Sequence, residues 1–150
     1  MDERVKKLDT ARKCEIFAKN ATTHSRPDLA LEARQRAVEI RAQEHGAQTT
    51  AEEEALQAIY AYEQLLTNKN GRTTRASRTW QMIKRHGIIE GVERAVKRDA
   101  VTQGYTMLVE MGLEKFAFEA VILRHPEVFS KEAVDISRLR LAEWANNDLQ

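Results

Sequence analysis

Residues 80–96, WQMIKRHGIIEGVERAV, are echoed 25 positions later by residues 105–121, YTMLVEMGLEKFAFEAV. The match sets Trp80 over Tyr105, Met82 over Met107, Ile83 over Leu108, Gly87 over Gly112, Ile88 over Leu113, Ala95 over Ala120 and Val96 over Val121. Apolar residues recur at three- and four-residue intervals on both sides of the central glycine. That is the pattern of two short amphipathic helices hinged where the first one ends. A helix-Gly-helix unit is too small to close its own core, so a repeated one predicts stacking on neighbours, in a solenoid-like or HEAT-like array. Only two copies are visible, and the flanking helices are expected to cap the stack.

Upstream, Val5, Leu8, Ala11, Cys14, Ile16, Phe17, Ala18 and Ala21 predict one amphipathic helix over about residues 3–21. Ser25-Arg26-Pro27-Asp28 reads as the next helix start, with Ser25 as N-cap, Pro27 in the first turn and Asp28 in a capping box. Leu29, Ala33, Ala37 and Ile40 carry its buried stripe until His45-Gly46. Alanines at successive turns let helices approach closely, so the first 46 residues predict a helical hairpin. It resembles tetratricopeptide units, over too few positions to place the chain in that family. A third helix is expected from Thr49 or Thr50, with Thr50-Ala51-Glu52-Glu53 as its capping box, up to the turn at Asn68-Lys69-Asn70-Gly71.

Beyond that turn the pattern predicts helices over about 74–86, 88–98, 102–111 and 113–124. His125-Pro126 then stops the chain, because proline disfavours helical geometry before it and lacks a donor. A last helix starts at Ser130-Lys131-Glu132 and runs past Trp144. No stretch alternates over strand length. The expectation is an all-α, compact array of about eight short helices forming a single domain, 1–150, with subdomains 1–68 and 72–150.

At 150 residues the chain is long enough for one continuous core, burying roughly 70% of its unfolded surface. With 24 Lys and Arg against 23 Asp and Glu, net charge says nothing about partners, and only the distribution of charge can. The lone Cys14 excludes an internal disulfide framework. The first residues, MDERVKKLDTARK, lack an apolar signal core, and no apolar run nears the ~20 residues of a membrane span, so a cytoplasmic protein is expected.

Catalytic motifs are missing from the sequence. His24, His45, His86 and His125 are scattered, and none has a His or Cys three or four residues away. His45 and His86 precede glycines at helix ends, where an imidazolium complements the negative pole. Glu52, Glu53 and Glu54 sit where a helix N-terminus favours acids, a structural reading rather than a metal site. There is no glycine-rich phosphate loop and no Gly-x-Ser-x-Gly. No enzyme, metal or other cofactor is expected.

Charge clusters in one place. Between Lys69 and Arg98 stand nine Lys or Arg against two Glu, an excess of seven in a nearly neutral chain. On a helix turning about 100° per residue, Ala76, Trp80 and Ile83 share one side, while Arg78, Gln81, Lys84 and Arg85 share the other. Lys69, Arg72, Arg75, Arg78, Lys84, Arg85 and Arg98 are therefore the candidate nucleic-acid contacts, binding phosphates without reading bases. Glu90 and Glu93 would face the groove in a base-reading helix, which argues against that mode. Two alternatives stand beside this: a merely solvated cationic face, and a helical-repeat adaptor for another protein, such as one with an acidic surface.

Overall fold

The computed structural model describes residues 1–98 and 102–148, with 102–104 and 146–148 given as backbone. Helices α1 (Glu3–Lys6), α2 (Ala11–Thr23), α3 (Pro27–His45) and α4 (Thr50–Asn70) make up the first half. Helices α5 (Ser77–His86), α6 (Ile88–Arg98), α7 (Thr102–Glu110), α8 (Phe118–Arg124) and α9 (Lys131–Asp148) make up the second, with a 3-10 turn at Glu114–Phe116. The fold is all-helical, and no strand occurs among the described residues.

The helix expected over residues 3–21 is two. Thr10 adopts extended geometry and its Oγ1 accepts from Lys13 N at 3.1 Å, while Lys13 Nζ reaches Asp9 at 2.7 Å. Local capping by a threonine thus overrides an apolar pattern that runs on through Leu8. Ser25 does not cap α3 either. It sits at φ 58° with its N–H on Thr22 O, which closes α2. Arg26 takes the N-cap position and its guanidinium forks onto Asp28 at 3.1 and 3.0 Å, so Asp28 serves that pair and no capping box forms. Pro27 stands in the first turn of α3, as expected. The cap of α4 lies one residue early: Thr49 Oγ1 accepts from Glu52 N at 3.1 Å, and Glu52 Oε2 accepts from Gln48 N at 3.0 Å.

Helices α2 and α3 form an antiparallel hairpin. Ala18 and Ala21 meet Leu29, Ala30 and Ala33 near the turn, and Cys14 meets Ala37 and Ile40 at the far end. Helix α4 is the central one. Ala55, Leu56, Ala58, Ile59 and Ala61 are all buried, more than one helical face can supply. It packs on α3, α6, α7, α8 and the 3-10 turn. Leu56 and Ile59 meet Val92, Val96, Ile122 and Phe129 in one cluster, and Leu65 meets Leu108, Leu113 and Phe116 in another.

The two sequence copies take different local courses. In the first, α5 lies against α6 because Gly91 leaves room: a Cβ there would stand 2.6 Å from Ile83 Cγ1 and 3.0 Å from Ile83 backbone. At the matching position the second copy has Phe116, buried in the 3-10 turn. Its helix α7 packs on α4 and on that turn, whereas α8 packs mainly on α9 and α4. Both hinge glycines keep a positive φ, 89° at Gly87 and 71° at Gly112. At Gly112 a Cβ would also strike Leu31 Cδ2 at 2.6 Å, and Gly112 O accepts from Gln35 Nε2 at 2.8 Å, so this hinge is tied to α3. Among the described residues no helix is long and apolar enough to cross a membrane.

Candidate nucleic-acid interface

The basic segment is anchored by a residue that charge counting passed over, Glu63 of α4. Its side chain is only 8% exposed. Its Oε2 accepts from Arg75 Nε, Ala76 N and Trp80 Nε1, each at 2.8 Å. A carboxylate on a buried face must be compensated in this way, since an unpaired charge there would cost several kcal/mol. The sequence did hold a signal: Glu63 lies one turn beyond Ile59 on a stripe otherwise apolar.

This anchor explains why α5 starts at Ser77 rather than at Thr74. Thr74 N donates to Thr67 Oγ1 at 3.0 Å, Thr74 Oγ1 donates to Arg72 O at 2.9 Å, and Ala76 N is taken by Glu63. The run between α4 and α5 is thereby held by side chains of α4. Trp80 is half-buried on the same anchor. Its ring stacks on His45 at 5.3 Å and 22°, meets Tyr60 at 5.3 Å, and has the Arg75 guanidinium 5.8 Å from its centroid. His45 therefore packs against an indole in addition to ending α3.

With α5 fixed at its start and pressed onto Gly91 at its middle, its outer stripe faces the outer stripe of α6 across an open cleft. Arg78, Gln81, Met82 and Arg85 line it from α5, with His86 at the end. Arg94, Lys97 and Arg98 line it from α6. Arg94 is held by Glu90 at 3.1 Å, and Lys97 lies 3.4 Å from Glu132 and 4.0 Å from Glu93. Arg98 is engaged within the protein as well. Arg78 and Arg85 are exposed and have no ion-pair partner among the described residues.

Of the seven residues expected from the sequence, the cleft unites Arg78, Arg85 and Arg98. Arg75 is turned toward Glu63 and lines a separate groove with it. Lys69 and Arg72 are exposed at the C-terminal end of α4, and Lys84 is exposed on α5 outside the cleft lining. The structure adds Arg94 and Lys97, each four residues after a glutamate of the same helix, Glu90 and Glu93. The Arg94–Glu90 pair forms at 3.1 Å, while Lys97 is drawn toward Glu132 across to α9.

A second titratable cluster joins α4 to α8. Glu54 of α4 binds Arg124 Nε at 2.6 Å and also His125 Nε2, which ties the start of α4 to the end of α8. Burial lifts the Glu54 carboxyl, yet the hydrogen bonds from His125 and Arg124 together outweigh it and leave the group below its ordinary value. Among the described residues no group of three His, Cys, Asp or Glu could hold a metal ion. No protein-family model, curated protein or solved structure matches this chain.

Proposed function

We propose that the α5–α6 hairpin binds nucleic acid through its phosphates, with Arg78 and Arg85 as principal contacts and Arg94, Lys97 and Arg98 as the opposing rim. The observation that supports this reading is the convergence of five guanidinium or ammonium groups on one open cleft, two of them without an acid partner among the described residues. Arginine forks fit phosphate oxygens bidentately, so cations in a row suit a phosphate backbone. Glu90 and Glu93 stand on α6 beside these cations, which favours backbone contact over base reading. On this reading the protein is a non-enzymatic accessory or regulatory component that does not depend on base sequence.

Fluorescence anisotropy with duplex and single-stranded probes tests it. Neutralising about four phosphates would make affinity fall roughly 150-fold between 50 and 200 mM salt. The double variant Arg78→Ala/Arg85→Ala should lower the salt slope by about 2 while leaving the melting temperature nearly unchanged. A control pair, Lys7→Ala/Arg12→Ala on α1–α2, should leave binding intact. Absence of binding at low salt, or equal loss in both double variants, would sink the proposal.

A second reading rests on a different observation. An open groove of about 750 Å³ runs along α2, α3 and α4, bordered by Lys19, Arg34, Arg41, Gln64 and Thr67. It supports an adaptor whose consecutive helices stack as in helical repeats, the solenoid-like arrangement expected from the sequence. Binding to a partner protein that survives Arg78→Ala/Arg85→Ala but not Lys19→Glu would favour this reading over the first.

A further inference from the structure

The groove along α2, α3 and α4 carries a charge imbalance of its own. Four cations line it, Lys19, Arg34, Arg41 and Arg75, against two acids, Glu15 and Glu63. Both acids are already engaged. Glu15 holds Arg41, and Glu63 holds Arg75 together with Ala76 N and Trp80 Nε1. Lys19, exposed on α2, and Arg34, half-buried on α3, have no acidic partner among the described residues.

Arg34 Nη1 donates to Met111 O at 3.3 Å, a long bond to a neutral acceptor, and the guanidinium has no other partner among the described residues. Met111 lines the groove as well, so this bond sets the guanidinium at the groove wall. A guanidinium carries five donors in a flat fork that matches a carboxylate bidentately. Partial burial disfavours its charge and holds Arg34 below its ordinary value, a cost that an anion in the groove would reverse. Beside it α4 presents Gln64 and Asn68 to the same groove, four residues apart and therefore about 6 Å along the helix. Gln64 Nε2 donates to Arg34 O at 3.3 Å, which orients the amide and leaves Oε1 as an acceptor. An extended chain repeats about every 6.4–6.8 Å over two residues, so side-chain amides at this spacing meet alternate peptide groups of an extended segment.

We propose that this groove binds an extended acidic segment of another protein, one carboxylate on the Arg34 guanidinium, a second on Lys19, and the main chain on the amides of Gln64 and Asn68. The inference rests on the adaptor reading of the same groove and names the chemistry of the partner.

The test uses the full chain and a fluorescein-labelled octapeptide of alternating Ser and Glu with both ends capped, beside the matching Ser-Gln peptide. Anisotropy should show saturable binding of the acidic peptide and much weaker binding of the Ser-Gln one. Arg34→Gln should weaken the acidic peptide about tenfold or more, and Arg34→Lys, which keeps the charge but not the fork, should weaken it less. Lys19→Gln, at an exposed position that leaves α3 untouched, should weaken it about threefold. Arg78→Ala/Arg85→Ala should leave it unchanged. No binding of the acidic peptide, or undiminished binding to Arg34→Gln or to Lys19→Gln, would overturn the proposal. So would loss of binding in Arg78→Ala/Arg85→Ala, which would place the peptide in the basic cleft, or displacement of the peptide from that variant by a single-stranded oligonucleotide. Equal binding of the two peptides, abolished for both by Lys19→Glu, would overturn the acidic partner and spare the adaptor reading.

Discussion

Replacing Glu63 by alanine should be among the most damaging single changes on α4. Glu63 Oε2 accepts three hydrogen bonds at 2.8 Å, from the buried Ala76 N, the half-buried Trp80 Nε1 and the largely exposed Arg75 Nε. Hydrogen bonds to a charged group contribute about 1.5–3 kcal/mol, and a buried donor left unmet costs about 1–3 kcal/mol. Arg75 is 64% exposed on its side chain and regains water, so its share is held to under about 1 kcal/mol. Removing the buried carboxylate also removes its own desolvation, which offsets part of the loss. The expected net loss is about 2–5 kcal/mol, read by urea denaturation, with a fall of roughly 5–15 °C in melting temperature for a chain of this size. Glu63→Gln, which keeps an acceptor but no charge, should lose less than half as much, and Arg75→Ala less than about 1 kcal/mol. Amide exchange at Ala76, the N-cap of α5, should accelerate in Glu63→Ala more than exchange within α4 does. A stability loss under about 0.5 kcal/mol, the level of an ordinary surface change, would refute the anchoring role.

Two more changes probe the frame around the site. Gly91→Ala would ordinarily favour a helix by about 1 kcal/mol, but its Cβ would lie 2.6 Å from Ile83 Cγ1 and 3.0 Å from Ile83 backbone. A net loss of about 1–2 kcal/mol is expected from overpacking, and a stabilised variant in thermal denaturation would show that α5 does not rest on Gly91. Glu54 has a folded-state pKa below its unfolded value, so its contribution is present above the ordinary glutamate range near about 4.3 and is lost as pH falls through the folded value. Stability measured from pH 6 down to pH 3 should therefore fall more steeply in the wild-type protein than in Glu54→Gln, and parallel curves would count against the Arg124–His125 clasp.

The elements most legible in the sequence were those whose own residues decide them. Helix α6 keeps the bounds expected of it, because Gly87 and the apolar pattern that follows are local instructions. Helix α4 runs on through Asn68–Asn70, where a turn was expected, and only Gly71, in left-handed geometry at φ 70°, caps it. What was not legible depended on groups far along the chain. The start of α5 is decided by Thr67 and Glu63, and the break before α2 by a threonine cap competing with an unbroken apolar stripe. Ser25 was misread because Ser-x-Pro-Asp satisfies a capping box on paper, whereas the chain needed a positive-φ residue to close α2.

The two echoed stretches show why aligned residues need not share a conformation. Both copies keep their glycine hinge and apolar frame, but one substitution, Gly91 in the first for Phe116 in the second, changes what the preceding helix can approach. A glycine leaves a slot into which Ile83 settles, so α5 and α6 close into a hairpin with their cationic stripes side by side. A phenyl ring in that slot must be buried instead, and it turns toward Leu65 and Leu108 in the core under α4. The candidate cleft thus depends less on how many arginines the segment carries than on the residue that fixes the distance between two helices. Counting charges along the chain found nine cations. Geometry assigns Arg75 to the Glu63 anchor and leaves Lys69 and Arg72 at the end of α4. Five of the cations gather on one surface, and a residue with no side chain sets where that surface forms.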